Sequence, residues 1–356
     1  MSAPVMIMAG GTGGHIFPGL AVAAVLRERG VPVIWLGSAH GLENTLVPAA
    51  NLPLERVGIS GLRGKGLRPL MAMPWRLTRA VVEALRIFKR HRPRAAIAFG
   101  GFAAGPGGLA ARMSGVPLLV HEQNRVPGYT NRILARLARR VLCGFPDAFA
   151  QRGETVGNPV RASIAAIVPP AQRFAAREGA LRLLVLGGSQ GARALNAAVP
   201  VALAQVPAGS VEVWHQAGRA LIDAARASYA EHRLTARVDP FIDDMAAAYA
   251  WADVVICRSG ALTLAELCAA GVGSVLVPFP FAVDDHQTRN AQYLTERGAA
   301  ILEPEGPQLA VALAQVLIDL GRDRALVLGM AEAARRLATP DAAMQIADAC
   351  IAESRP

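Results

Sequence analysis

The sequence predicts an α/β protein of two doubly wound parallel-sheet domains, and three observations carry that prediction. An apolar run, Val5 to Ala9, leads into Gly10-Gly11-Thr12-Gly13-Gly14-His15 and then an apolar-periodic helix, Pro18 to Glu28. The same design starts again at Leu181 to Leu186, which runs into Gly187-Gly188-Ser189-Gln190-Gly191 and a helix through Ala192 to Ala198. Finally, 356 residues exceed one comfortable core, and a composition of 53% hydrophobic, 5% aromatic and 18% charged residues suits α/β layers better than a sandwich.

The first domain opens on β-strand, glycine turn and helix, a phosphate-binding arrangement because the turn exposes backbone N–H groups beside a helix N-terminus. The loop is neither a Walker A sequence nor the spaced G-x-G-x-x-G of dinucleotide binders. Val31 to Leu36 reads as the second strand, Ala95 to Phe99 as the third, and Pro117 to Val120 as the next, ending in His121-Glu122-Gln123-Asn124 where open α/β sheets bind ligands. A second glycine-rich loop, Gly100 to Gly108, opens a helix, and a basic helix over 130–140 precedes a strand near Val141 to Gly144. The domain closes at Gly157-Asn158-Pro159-Val160-Arg161, with Pro169-Pro170 as linker. In the second domain, Val211 to His215, Arg237 to Phe241, Asp253 to Cys257 and Ser274 to Pro278 read as strands. Ser259-Gly260 turns the third of these into a helix carrying Glu266 and ending at Gly271; Phe279 to Asn290 reads as a polar loop. The divisions expected are 1–160, 161–339 and a final helix in 340–356.

Several function classes are excluded. The longest apolar candidate, Val272 to Val283, is broken by Gly273, Pro278 and Pro280 and falls short of the ~20 residues of a membrane span. The N-terminus lacks the features of a secretory signal, so a cytoplasmic location is expected. Cys143, Cys257, Cys268 and Cys350 show no metal-ligand spacing and read as reduced structural thiols. The net charge of +10 is concentrated: between Leu62 and Arg94 ten Lys/Arg face one acid, Glu83, a local charge of +9. Leu77, Val81, Val82, Leu85 and Phe88 recur there at helical spacing as a core face, with Met71, Met73 and Trp75 before the helix among Arg68, Arg76 and Arg79. The segment is either a solvated basic helix or a monotopic patch for an anionic membrane surface. Nucleic acid is not expected as a partner, since aromatics for base stacking are missing.

The loops together resemble the MurG family, peripheral membrane glycosyltransferases that add N-acetylglucosamine to lipid I in bacterial peptidoglycan synthesis. Eight motifs in order carry the resemblance: GGTGGHIFPG at 10–19, ISGLRGKG at 59–66, HEQN at 121–124, GNPVR at 157–161, GGSQGARALN at 187–196, FIDDM at 241–245, RSGALTLAE at 258–266 and DDHQTRNA at 284–291. The resemblance implies a GT-B fold, two Rossmann-like domains facing a cleft, with the C-terminal helix returning to the first. It implies an inverting transfer from UDP-N-acetylglucosamine at the cytoplasmic face of the inner membrane, giving lipid II, with cell-wall synthesis proteins as further partners. In the second domain Glu266 would take the ribose hydroxyls, Ser189 and the backbone of Gly187 to Gly191 the diphosphate, and Ile242 the edge of the uracil. Arg161 with Ala261, Leu262, Thr263, Leu264 and Ala265 would complete the nucleotide pocket. Gln287, Asn124 and Thr12, Gly13 and Gly14 would reach the sugar and the reacting centre. Because the first domain carries the basic segment, its glycine loops are expected to meet the acceptor's diphosphate, through Gly10, Gly11, Gly100, Gly101 and Gly105.

The base has to titrate near neutrality within reach of the attacking hydroxyl, which fits His15, with His121 and Glu122 as further candidates. No D-x-D motif is present, and Asp243-Asp244 and Asp284-Asp285 are adjacent pairs, so no obligatory metal or cofactor is expected. Gly273 stands where the family commonly has proline, which is expected to loosen a turn. A UDP-N-acetylglucosamine 2-epimerase-like enzyme and a non-catalytic nucleotide-sugar or lipid binding module are the alternatives. The epimerase needs no lipid-facing patch, so the basic segment favours the transferase over it.

Overall fold

The computed structural model describes residues 3–59, 73–188 and 191–354, which divide into two units, Met1–Val160 with Pro340–Pro356 and Arg161–Thr339. The first unit contains β1 (Val5–Ala9), β2 (Val33–Ser38), β3 (Leu54–Val57), β4 (Ala95–Gly100), β5 (Leu118–Glu122), β6 (Arg140–Cys143) and β7 (Glu154–Thr155). They form one parallel sheet in the order β3-β2-β1-β4-β5-β6-β7. The second unit contains β8 (Leu181–Leu186), β9 (Val211–Gln216), β10 (Arg237–Asp239), β11 (Val254–Cys257), β12 (Gly273–Leu276) and β13 (Ala300–Leu302), in the parallel order β10-β9-β8-β11-β12-β13. Both sheets wind outward in opposite directions from their first strand, so each has a switch point, between β1 and β4 and between β8 and β11, where ligands sit outside the strand ends.

Local sequence accounts for this arrangement. β1, β4 and β11 are continuous apolar runs, which only a sheet covered by helices on both faces can bury. On one face of the first sheet, Ile16, Val22 and Leu26 of helix Gly13–Glu28 pack with Ile346 and Cys350 of helix Ala342–Glu353. On the other face lie helices Met73–His91 and Ala104–Met113. In the second unit, helices Arg193–Leu203 and Leu309–Arg322 share a core with β8 and β11.

Four expectations are corrected. Helix Met73–His91 begins early enough to include Trp75, and its core stripe is Ala80, Ala84, Ile87 and Phe88; Leu77 and Val82 are exposed, at 36% and 40%. The stripe has the spacing of one helix face, but half of it is alanine, and the larger Leu77 and Val82 lie off it. Gln287 lies on helix His286–Thr295, not in a loop. The polar loop is shorter than expected, ending in two left-handed residues, Asp284 and Asp285, at φ 52° and 50°. Gly273 opens β12 instead of loosening a turn: a Cβ there would meet the Met330 Cβ at 2.8 Å. Arg68 and Met71 lie outside the described residues.

The opposite edge of the second sheet is held by charge. Asp253, fully buried, accepts from the Arg182 amide at 3.0 Å and from Arg324 at 2.7 Å, and pairs with Arg177. Burial alone would raise its carboxyl, but the amide and the two guanidiniums outweigh it and hold it below the ordinary carboxylate range. Arg173 and Arg335 donate to the carbonyls of Ala269, Ala270 and Gly271, ending helix Ala261–Ala270 with positive charge where the macrodipole is negative. All four cysteines are buried free thiols, and burial pushes each up to about 12.

Candidate active site

In the first unit the strand ends of β1, β4 and β5 bring three sequence-predicted groups to the same edge of the sheet. Helix Gly13–Glu28 starts at Thr12 with no side-chain cap and no acid in its first turn, so the Gly13 and Gly14 amides are left open to an anion. His15 sits in that first turn, its Nδ1 3.3 Å from the Gly10 carbonyl. The opposing loop is built to admit the ring: Gly100, at φ 117°, would put a Cβ 2.9 Å from the His15 Nε2. Gly101 is closer still to the first loop, since a Cβ on it would fall 2.1 Å from the Gly10 oxygen. Gly105 lies one turn on, in helix Ala104–Met113. The Gly11 amide is already committed, donating to the Glu43 carboxylate at 2.9 Å. A carboxylate at Gly11 opposes an anion there and removes that amide from the donors the loop can offer.

The HEQN segment is organised by its own side chains. Glu122, buried, accepts from the Asn124 amide at 3.0 Å, the Asn124 side chain at 3.2 Å, the Gly128 amide at 3.1 Å and Asn131 at 2.9 Å. Four donors on one carboxylate make it the frame of the loop carrying Asn124, with no face turned to a substrate hydroxyl. His121 is equally committed. Its Nε2 donates to the Gly157 carbonyl at 2.9 Å, its Nδ1 accepts from Gln123 at 3.2 Å, and burial lowers its ring to about 4. Of the three residues weighed as base, His15 alone is partly exposed, in the first turn of its helix, whereas His121 and Glu122 are buried.

In the second unit, after β8, the Gly191 amide returns to the Gly188 carbonyl at 3.1 Å. Only glycine fits at 191, at φ 79° with a Cβ 2.1 Å from the Ala217 oxygen. Ser189 lies outside the described residues. Across the switch point, Gly260 precedes helix Ala261–Ala270, whose first turn again has no side-chain cap and no acid. Glu266, on that helix, accepts from Arg161 through Nε at 3.1 Å and Nη2 at 2.8 Å, both on Oε1, and from the Tyr249 hydroxyl at 3.1 Å on Oε2. Burial, then the Glu266 charge, push the Tyr249 hydroxyl well above its ordinary value, so it stays a donor. Leu262, Thr263 and Ala265 are partly exposed, whereas Leu264 is 1% exposed and faces the core. Ala261 and Ile242 are also buried, so Ala261 and Leu264 can serve a ligand only through backbone. The Gln287 Oε1 accepts from the Phe279 amide at 2.9 Å, tying the helix to the end of the β12 loop.

The comparisons identify the family. The chain matches two family models in tandem, Glycosyltransferase family 28 N-terminal domain over residues 5–143 and Glycosyltransferase family 28 C-terminal domain over residues 182–346. A curated protein of Xanthomonas euvesicatoria pv. vesicatoria, UDP-N-acetylglucosamine--N-acetylmuramyl-(pentapeptide) pyrophosphoryl-undecaprenol N-acetylglucosamine transferase, is 62% identical over 354 residues, 99% of this chain and 82% of the relative. Its namesake in Xylella fastidiosa is 58% identical over 354 residues, 99% of this chain and 97% of the relative. The crystal structure of MurG from Acinetobacter baumannii matches with a TM-score of 0.88 at 40% identity, covering 99% of this chain and 100% of that one. The chain belongs to the MurG family of glycosyltransferases. Its two sheets are the Rossmann-like domains of a GT-B glycosyltransferase.

Two residues of this MurG-family chain matter to the geometry and were not singled out from sequence. Glu43, in Gly41-Leu42-Glu43 after β2, looks like an ordinary first-turn acid and is in fact fully buried. Tyr249 lies in the apolar helix Met245–Trp251, where nothing in the pattern marks it as polar. Among the described residues, no group of three or more His, Cys, Asp or Glu is placed to hold a metal. No described helix is long and apolar enough to cross a membrane.

Proposed function

We propose that this chain transfers N-acetylglucosamine from UDP-N-acetylglucosamine to the 4-hydroxyl of the N-acetylmuramyl residue of lipid I, with inversion, forming lipid II. The observation that carries the reading is the uncapped N-terminus of helix Ala261–Ala270 with Glu266 one turn further on, in a chain whose curated relatives are named for this transfer. Arg161 and Tyr249 hold the Glu266 carboxylate for the ribose hydroxyls. The second unit thus takes the donor and the first unit the acceptor.

In the transfer, the acceptor O4 bonds to the anomeric carbon as that carbon's bond to the UDP oxygen breaks, and the O4 proton passes to His15. Gln287 orients the sugar on the donor's unit. The charge that gathers on the departing diphosphate meets preorganised amides at the helix N-termini, so the step needs no obligatory metal. The enzyme acts as a peripheral protein at the cytoplasmic face of the inner membrane. Acceptor-dependent UDP release is the test: a lipid I analogue should stimulate release from UDP-N-acetylglucosamine, undiminished by chelator. Release without acceptor would instead point to epimerase-type chemistry, and no release to a binding module.

The exposed start of helix Met73–His91 supports membrane attachment. Trp75 is 74% exposed beside Leu77, Arg76 and Arg79, an apolar tip within a basic surface. Arg and Lys near an anionic surface contribute about 1 kcal/mol each. Trp75→Ala with Arg76→Glu is therefore expected to abolish co-sedimentation with anionic vesicles; undiminished binding would return the segment to a solvated helix.

A further inference from the structure

We propose that Glu43 is a positioning residue for the catalytic base, acting on His15 through the single peptide group that joins Gly10 to Gly11. The inference rests on the reading of His15 as base. Glu43 is fully buried, and among the described residues no cation pairs with it. Its Oε1 accepts from the Ser38 amide at 2.9 Å and the Ser38 hydroxyl at 2.5 Å, and its Oε2 from the Gly11 amide at 2.9 Å. Glycines surround it: a Cβ at Gly10 would lie 2.6 Å from the carboxylate oxygen and one at Gly41 2.2 Å. A buried carboxylate without a counter-ion is expensive to keep, so a site that spends three hydrogen bonds and two glycines on it is shaped around that group.

The consequence follows from peptide geometry. In a trans peptide the N–H and the C=O point in opposite directions, and no cis bond occurs in the described chain. Once the Gly11 N–H is held by Glu43, the Gly10 carbonyl of the same plane is aimed the other way, and there it meets His15 Nδ1 at 3.3 Å. A carbonyl only accepts, so Nδ1 carries the hydrogen and the neutral ring presents Nε2 as its proton acceptor. Gly100 packs against that same edge of the ring, where a Cβ would come within 2.8 Å of Cδ2 and 2.9 Å of Nε2. Carboxylate, peptide and imidazole thus form a line in which the peptide does what a carboxylate does directly in other histidine bases: it selects the tautomer and fixes the ring plane.

Glu43→Gln separates this role from bulk. The amide keeps the shape, but one of its ends can only donate; with two donors at Ser38, its oxygen is best used there, and its NH2 then faces the Gly11 N–H. In the full chain with a lipid I analogue, Glu43→Gln is expected to lower kcat about tenfold or more, a smaller loss than removal of the base itself, with the KM for UDP-N-acetylglucosamine unchanged. In a His15→Ala background the same change should cost nothing further. Ser38→Ala, which removes a donor from the other oxygen and spares the Gly11 contact, should keep near-wild-type kcat. Thermal melts check folding, and Glu43→Asp, one methylene short of Gly11, replaces Glu43→Gln if the latter does not fold. An unchanged kcat in Glu43→Gln beside a crippled His15→Ala would overturn the inference and leave the base in place. So would an equal loss in the His15→Ala background, or an equal loss in Ser38→Ala. Full turnover in His15→Ala would instead remove the base reading itself.

Discussion

His15→Ala is expected to lower kcat by about 10²- to 10⁴-fold at saturating substrates, the usual contribution of a positioned general base. The KM for UDP-N-acetylglucosamine should stay within about twofold, because a group that acts on the acceptor proton contributes to the transition state and not to donor binding. The competing groups lose on geometry. His121 has both ring nitrogens engaged, at 2.9 Å and 3.2 Å, and burial lowers it to about 4, so it would not retain an abstracted proton at neutral pH. Glu122 is wrapped by four donors. If the loss in His15→Ala appeared in KM with kcat intact, the ring would be ordering the glycine loop and the base would lie elsewhere. Steady-state UDP release with both substrates varied distinguishes the two.

How much of this was legible follows from what local sequence must satisfy. The glycine loops could be read because their backbone cannot be built otherwise: at 100, 101 and 191 a side chain would fall on a ring edge or a carbonyl. β8 could be read to the residue, since Leu181 to Leu186 is apolar but for Arg182 and runs straight into Gly187-Gly188. β3 and β13 escaped notice: they are four and three residues long, with mixed or half-exposed side chains, and only the neighbouring strand makes them strands. Helix His286–Thr295 escaped for a related reason, because its first turn is polar and its apolar face rests on Ala291 and Leu294 alone. Within the site, sequence marked the groups whose type is unusual for their place, Glu266 and His15. It could not mark Glu43 or Tyr249, whose importance lies in what they touch. A glutamate after a glycine is commonplace; one with its carboxylate on a glycine amide 32 residues earlier is a tertiary fact.

Glu266→Ala is the other large effect, and it should fall on the donor. A carboxylate with one acceptor position left for the ribose gives a charge-assisted hydrogen bond of about 1.5–3 kcal/mol, so its loss predicts a KM for UDP-N-acetylglucosamine raised about 10- to 10²-fold. The ribose is remote from the reacting carbon and is held alike before and during transfer, so kcat should change far less than KM. The unliganded contacts sharpen the expectation. Arg161 places two N–H groups on Oε1, while among the described residues Oε2 accepts only from the Tyr249 hydroxyl and so has one acceptor position left. Glu266→Gln, which keeps one acceptor, should therefore lie between wild type and Glu266→Ala. A donor analogue lacking the ribose 2′-hydroxyl supplies the control: it should bind the wild-type enzyme more weakly than the natural donor, and bind Glu266→Ala no differently from it. Were Glu266→Ala to retain the wild-type KM, or still to discriminate between the two donors, the carboxylate would be serving only to anchor Arg161 and Tyr249, and the ribose would be read by another group.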